Sequence, residues 1–319
     1  MGRYLLRRLG MTALVLLLVT LVLALLVHVI PGDPVRLMAG PRASDAMIEQ
    51  VRTEMGLDRS IPAQVGTFVV DAVQGDLGQD FSSNLPVTYL VGAALPHTLA
   101  LALTSLALAG VAGLVLGVFA ATHPNTWADR ITNMVSVSFV TMPPYVAGLF
   151  LLLIFSVSLG WFPAIGAGSM GDPGDYLRRL TLPTVALALT WIGYLARLVR
   201  ASLLEVLGSN YIRVARAFGI RERFILYRYA LKNAVVPTIA MLGVALGNVI
   251  GGAVFVEVIF SRPGLGTLVF DAISDRNFPI VRGGVLVVAV IFVLGNLFAD
   301  LSYRFLDPRI RVEERRTTT

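Results

Sequence analysis

Three histidines, a single lysine and no cysteine leave this 319-residue chain little from which to build a reactive centre. His28, His97 and His123 fall in three separate segments without the spacing of metal ligands. Without cysteine there is no disulfide framework, thiolate metal site or redox couple. The lysine, Lys232, follows Leu231 and not glycine, so the Gly-Lys phosphate loop of an ATPase is missing. No nucleophile, base and orienting group recur together. The sequence thus predicts no catalytic residue, no metal ligand and no cofactor. What remains is charge in apolar surroundings. Glu257 and Asp300 stand at opposite ends of two hydrophobic runs, where a carboxylate defaults to a pathway or gate role, though both lie close enough to an interface to be solvated.

A second pattern is mechanical. Ser209 is a plausible N-cap, after which Tyr211, Val214, Ala215 and Phe218 recur at i, i+3, i+4 and i+7. Arg213 and Arg216 lie off that face, and Gly219 stands where a helix stops in a left-handed conformation. Such a short amphipathic helix can lie on a bilayer, pack on its own protein or enter a partner's groove.

The elements that must position these residues follow from composition. The chain is 56% hydrophobic and only 14% charged, with a mean hydropathy of +0.76. About 25% charge is usual for a soluble domain, so the class is integral membrane. Six apolar runs are long enough to span, near Leu9–Ile30, Thr98–Ala121, Ile131–Leu159, Leu180–Val199, Ala234–Val256 and Gly283–Leu301. Their length and lack of alternation predict an all-α bundle and exclude a β-barrel. The first run is longer than a signal-peptide core and is followed by Pro31-Gly32-Asp33-Pro34, so it reads as a retained anchor.

With both termini inside, 17 of the 26 arginine and lysine residues are cytoplasmic and nine are outside. This asymmetry also accounts for the net charge of +6 without nucleic acid, for which no basic soluble domain is left. Outside, Ser44 can cap a helix carrying Met47, Ile48, Val51 and Met55, and Ser261-Arg262-Pro263-Gly264-Leu265-Gly266 reads as turns. Gly243, Gly247 and Gly251 form a small-residue stripe along the fifth run, suited to close helix packing or to lining a pore. Pro143 and Pro144 interrupt the third run and Pro237 opens the fifth, as kinks or as pivots.

The stretch Arg213-Val214-Ala215-Arg216-Ala217-Phe218-Gly219, followed by Tyr229-Ala230-Leu231-Lys232-Asn233-Ala234 and Pro237, resembles the coupling loop of bacterial ABC importer permeases. More closely it is similar to the first, B-type, permease subunit of dipeptide, oligopeptide, glutathione and nickel importers. The likeness runs through nearly the whole chain, taking in Gly56-Leu57-Asp58, Gly75-Asp76-Leu77-Gly78, Glu257 with Phe260, Pro263-Gly264-Leu265-Gly266 and Asp307-Pro308-Arg309. Arg213, Val214 and Lys232 depart from the broader Glu-Ala-Ala…Leu-Pro permease motif, as is typical of the peptide branch.

The resemblance implies the type I importer permease fold: six transmembrane helices with a cytoplasmic coupling helix. It divides the chain into an N-terminal transmembrane helix (1–30), an extracytoplasmic insert (31–96), a five-span core (97–306) containing the coupling loop (201–233), and a cytoplasmic tail (307–319). It further implies residence in the bacterial inner membrane and four partners beyond the lipid bilayer: a second, homologous permease, two cytoplasmic ATPases and an extracytoplasmic binding protein that selects the solute. Tyr211 to Gly219 would enter an ATPase cleft, with Glu257, Phe260 and Asp300 as candidates for the pathway. The other reading, an ion-coupled secondary transporter, would need coupling carboxylates and repeated halves, and neither is evident.

Overall fold

The computed structural model describes residues 2–29, 35–36, 44–54, 56–169 and 171–306. Among them the regular elements are helical, apart from one isolated bridge between Gln79 and Pro86. In chain order the longer ones are α1 (Gly2–Val29), α2 (Asp45–Glu54), α3 (Ile61–Val73), α4 (Val87–Thr122), α5 (Trp127–Thr141), α6 (Pro144–Leu151), α7 (Pro173–Leu207), α8 (Asn210–Ala217), α9 (Val236–Ile259), α10 (Leu265–Ser274) and α11 (Phe278–Leu306), with single helical turns at Glu222–Phe224 and Leu231–Ala234. Two π-helical stretches, Leu152–Ser158 after α6 and Ile225–Ala230 before α9, interrupt the regular winding.

Five of these helices are long and apolar enough to cross a membrane, and the count is six where the pair α5 with α6 and its π-helical extension, bent by 104°, is taken as one span. The third run is thus interrupted at Pro143 and Pro144, where the sequence places the break. Pro143 and Pro144 remove two backbone donors, and Met142 before them is extended with ψ 117°, as a residue ahead of proline prefers. Hydropathy understates α4, which begins at Val87 and carries Pro96 inside it; its 36 residues rise about 54 Å, well beyond a hydrocarbon core of about 30 Å. The turn expected at Ser261 to Gly266 holds as far as Gly264, and α10 begins at Leu265. Leu265, Leu268, Val269 and Ala272 repeat at i, i+3, i+4 and i+7, and Gly264 serves as the N-cap.

The chain divides by packing into two compact units, Met1–Thr98 with Pro263–Val293, and Leu99–Arg262 with the chain from Leu294 onward. In the first unit, α1 packs on α3, and Phe68, Leu77, Val87, Val91, Leu265 and Ile280 form a buried apolar cluster. Ser44 accepts from the Met47 amide at 3.3 Å, as its capping role predicts. Ile48 on the same helix is buried while Met47 is exposed, and Met55 lies outside the described residues, as do Pro31 to Pro34 and Asp307 to Arg309.

Beside that cluster, the buried Asp80 carboxylate accepts from the Ser82 and Ser83 amides at 3.0 Å and from the Ser83 hydroxyl and the Asn277 amide side chain. Burial alone would raise this acid, but the hydrogen bonds from Ser83, Ser82 and Asn277 outweigh it and hold it below the ordinary value of 3.8. A depressed folded pKa gives stability that is complete above the unfolded value and is lost as pH falls through the folded one. Thermal melts of the detergent-solubilised protein should therefore show an acid-side loss that Asp80→Asn diminishes. An identical acid slope in both proteins would show that Asp80 is not tied in this way.

In the second unit α5, α6 and α9 pack on α7. Glycine sets the closest approaches. A Cβ at Gly113 would lie 2.8 Å from Leu195 Cβ, one at Gly117 would lie 2.7 Å from the Ala196 carbonyl, and one at Gly193 would overlap the Ser136 carbonyl. These contacts seat α4 and α5 on α7. The first turn of α5 is fastened to α7 by a two-pronged ion pair in which Arg200 Nε and Nη2 donate to Asp129 at 2.6 and 2.7 Å.

Candidate functional site

Helix α8 begins where the capping rule puts it, with Ser209 extended at the N-cap, but the Ser209 hydroxyl donates backward to the Val206 carbonyl at 2.6 Å and caps nothing. Its end is better built. Gly219 has φ +72°, its amide donates to Arg216 O at 2.9 Å, and the Ile220 amide donates to Ala215 O at 3.2 Å. That is the paired closure of a Schellman motif, which needs a left-handed residue at Gly219.

The four residues that the sequence places on one apolar face do not stay together. Ala215 turns inward with Ile212 and packs against Leu203, Ala121, Ile225, Ala230 and Ala234. Tyr211, Val214 and Phe218 turn outward with 44%, 53% and 82% of their surface exposed. Ile212, fully buried, is the anchor that periodicity from Tyr211 passes over; burying such a side chain is worth about 1.5–3 kcal/mol. Its spacing of three from Ala215 was the available signal. Arg213 and Arg216 sit off the outward stripe and are held by Asn210 Oδ1 at 2.7 Å and Glu222 Oε1 at 2.7 Å, and Ala217 is exposed between them. Asn233 donates to the Tyr211 hydroxyl at 3.0 Å, tying the start of α8 to the approach to α9.

The result is a helix seated firmly on the ends of its neighbours. One stripe of α8 is embedded among the ends of α4 and α7 and the Ile225–Ala234 passage, so a push on α8 is transmitted to them directly. The adjoining stripe of Tyr211, Val214 and Phe218 is apolar and open.

At the other end of α9, Glu257 and Phe260 are fully buried, where sequence position suggests solvation for the carboxylate. Phe260 packs toward Gly148 of α6, and its carbonyl accepts the Gly166 amide at 2.8 Å. Ser261 is left-handed with φ +47°, which lets the Arg262 amide close onto the Glu257 carbonyl at 2.9 Å. The Arg262 side chain, also fully buried, lies over the Tyr176 ring at 5.4 Å, with Nε and Nη1 unpartnered. Burial pushes this guanidinium below its ordinary value, opposed by Tyr176 and the charge of Glu257. Residue pattern alone gave no sign of Arg262. Asp300 lies on α11, and its side chain falls outside the described residues.

Of the glycine stripe, Gly247 is buried where a Cβ on Gly295 of α11 would stand 3.5 Å from its amide, Gly243 is half-buried, and Gly251 has open space around it. His123, far from both ends of this arrangement in sequence, is bonded to Phe119 O at 3.0 Å and to the Thr122 hydroxyl at 3.1 Å.

Residues 113–312 match the family described as binding-protein-dependent transport system inner membrane component, and residues 1–102 match the N-terminal domain of such membrane components. The glutathione transport system permease protein GsiC of Pectobacterium atrosepticum is 38% identical over 311 residues, covering 98% of this chain and 99% of its own length. The GsiC protein of Escherichia coli strain K12 is 36% identical over the same span. Among solved structures, the MetNI methionine ABC transporter in inward-facing conformations superposes with a TM-score of 0.57 at 20% identity, over 69% of this chain and 97% of that one. An amino acid ABC transporter with histidines gives 0.53 at 17% identity, over 68% and 94%.

Proposed function

Because the chain belongs to the binding-protein-dependent inner-membrane components, the non-catalytic permease subunits of ABC importers whose ATP is hydrolysed by separate ATPase subunits, we propose that it conducts short, peptide-like solutes across the inner membrane. The substrate class is supported by glutathione permeases 36–38% identical over 98% of the chain. The family leaves the ion-coupled alternative without support.

The observation that carries the coupling mechanism is the division of α8 into an embedded stripe and an open apolar one. Tyr211, Val214 and Phe218 enter a cleft of an ATPase subunit, and Ile212 and Ala215 pass its movement into the bundle. Nucleotide-driven closure of two ATPases then shifts the permease between inward and outward openings through their different affinity for the two states. Both termini face the cytoplasm, a second and different permease supplies the other half of the pathway, and a binding protein delivers solute on the side of residues 31–96. Glu257 and Phe260 border the pathway at one end of α9, with Asp300 at the far end of α11.

The test is reconstitution of this chain with the second permease, the ATPases and the binding protein in liposomes, offering glutathione, a dipeptide, a tetrapeptide, a nickel chelate and haem in turn. A peptide-like solute should raise ATP hydrolysis several-fold and accumulate inside. Stimulation only by a non-peptide, or uptake that follows an ion gradient without ATP, would refute the reading.

A further inference from the structure

Between α8 and α9 the chain forms an open groove of about 880 Å³ lined by Arg223, Phe224, Tyr227, Arg228, Tyr229 and Lys232. A short helical turn, Glu222–Phe224, carries Arg223 and Phe224, and the π-helical winding from Ile225 to Ala230 that follows it carries Tyr227, Arg228 and Tyr229. The rings of Phe224 and Tyr229 meet at 6.0 Å, edge to face, and the Arg228 guanidinium lies 5.5 Å above Phe224. All three cations are exposed, and among the described residues none has a carboxylate within ion-pair distance. The nearest acid along the chain, Glu222, is engaged by Arg216 at 2.7 Å.

This is chemistry for a phosphodiester: three unpaired cations over an aromatic floor. Its place in the chain identifies the source. Lys232 precedes the first residue of α9, an apolar spanning helix, by four residues, about 6 Å of helical rise, which is headgroup depth. Tyrosine side chains with an apolar body and a polar tip belong at the same depth. The stripe of α8 offered to a protein partner, in contrast, is apolar.

We propose that this groove binds the headgroup of an anionic phospholipid of the cytoplasmic leaflet, holding the exposed face of the Ile225–Ala234 passage at the bilayer surface. The proposal rests on the cytoplasmic placement of this loop. That placement is tested separately, by labelling Ser209→Cys with an impermeant thiol reagent in intact cells, where no labelling is expected.

The assembled complex, transferred to nanodiscs of phosphatidylglycerol or of phosphatidylcholine, should retain phosphatidylglycerol through delipidation, as read by native mass spectrometry. Each cation lost should lower that retention roughly five-fold, so Arg223→Gln, Arg228→Gln and Lys232→Gln together lower it roughly a hundred-fold. Arg223→Lys with Arg228→Lys keeps the charge and should keep most of the lipid. Excess inorganic phosphate should not displace the lipid. Equal retention in the triple variant overturns the proposal, and so does displacement by inorganic phosphate, which would make this a soluble-anion site. Unchanged lipid with weakened ATPase co-purification also overturns it, since the groove would then be a protein contact.

Discussion

Val214→Asp combined with Phe218→Asp is expected to abolish solute-stimulated ATP hydrolysis and uptake while leaving the subunit in the membrane at normal abundance. Both side chains stand in the open, with 53% and 82% of their surface exposed, so in the free subunit water solvates the new carboxylates at little cost. Docked in an apolar cleft they must be desolvated, a penalty of several kcal/mol unless the cleft provides a cation. At about 1.4 kcal/mol per factor of ten, two such charges weaken ATPase binding by more than a hundred-fold. Abundance, ATPase co-purification and stimulated hydrolysis measured on the same preparation decide the matter. Wild-type uptake with wild-type ATPase retention would reduce α8 to an ordinary helix at the membrane border.

Neighbouring positions should fail differently. Ala215 is only 8% exposed and lies within the cluster of Ile212, Leu203 and Ile225, so Ala215→Asp puts charge into the buried seat of α8 and lowers the subunit's stability. A Cβ at Gly219 would meet nothing within 4 Å, but the residue has φ +72°, so Gly219→Val costs only backbone strain, about 1–2 kcal/mol, at the helix exit.

That contrast shows how far the sequence reaches. Helix α8 was legible almost to the residue, because a cap, a 3.6-residue period and a terminal glycine are local signals. Which of its two apolar stripes is embedded was not, since Ile212 with Ala215 and Tyr211 with Val214 and Phe218 are both regular, and only α4, α7 and the approach to α9 choose between them. The break of the third span was readable from Pro143 and Pro144, whereas its 104° angle depends on how α5 and α6 each seat on α7. Asp129 with Arg200 pairs residues 71 apart, although Thr126-x-x-Asp129 at the start of α5 carried a local hint of a capping box. Arg262 has no sequence signature, because its burial is a property of the surroundings and not of the residue.

Packing requires some glycines and not others, and the difference produces a second large effect. At Gly193 a Cβ would overlap the Ser136 carbonyl and approach Phe139 Cβ and Val140 Cγ2 to 3.1 Å, so Gly193→Val drives a branched side chain into the backbone of α5. A backbone carbonyl cannot rotate away as a side-chain end can, and the two helices must separate. Overpacking of this kind costs about 1–3 kcal/mol where side chains yield, and here the cost belongs at or above the top of that range. Gly251 is the control: nothing stands within 4 Å of its Cβ direction, and glycine-to-alanine within a helix gains up to about 1 kcal/mol of propensity. Gly193→Val should therefore fall in abundance and melt several degrees lower in detergent, whereas Gly251→Ala should match or exceed the wild type. Because Gly193 joins α7 to α5, the half-span whose first turn is already fixed to α7 by Asp129 and Arg200, the damage should appear as protease sensitivity around Pro143 before it reaches α8. Equal melting of the two variants would mean that α5 is not held against α7 as closely as the Ser136 contact requires.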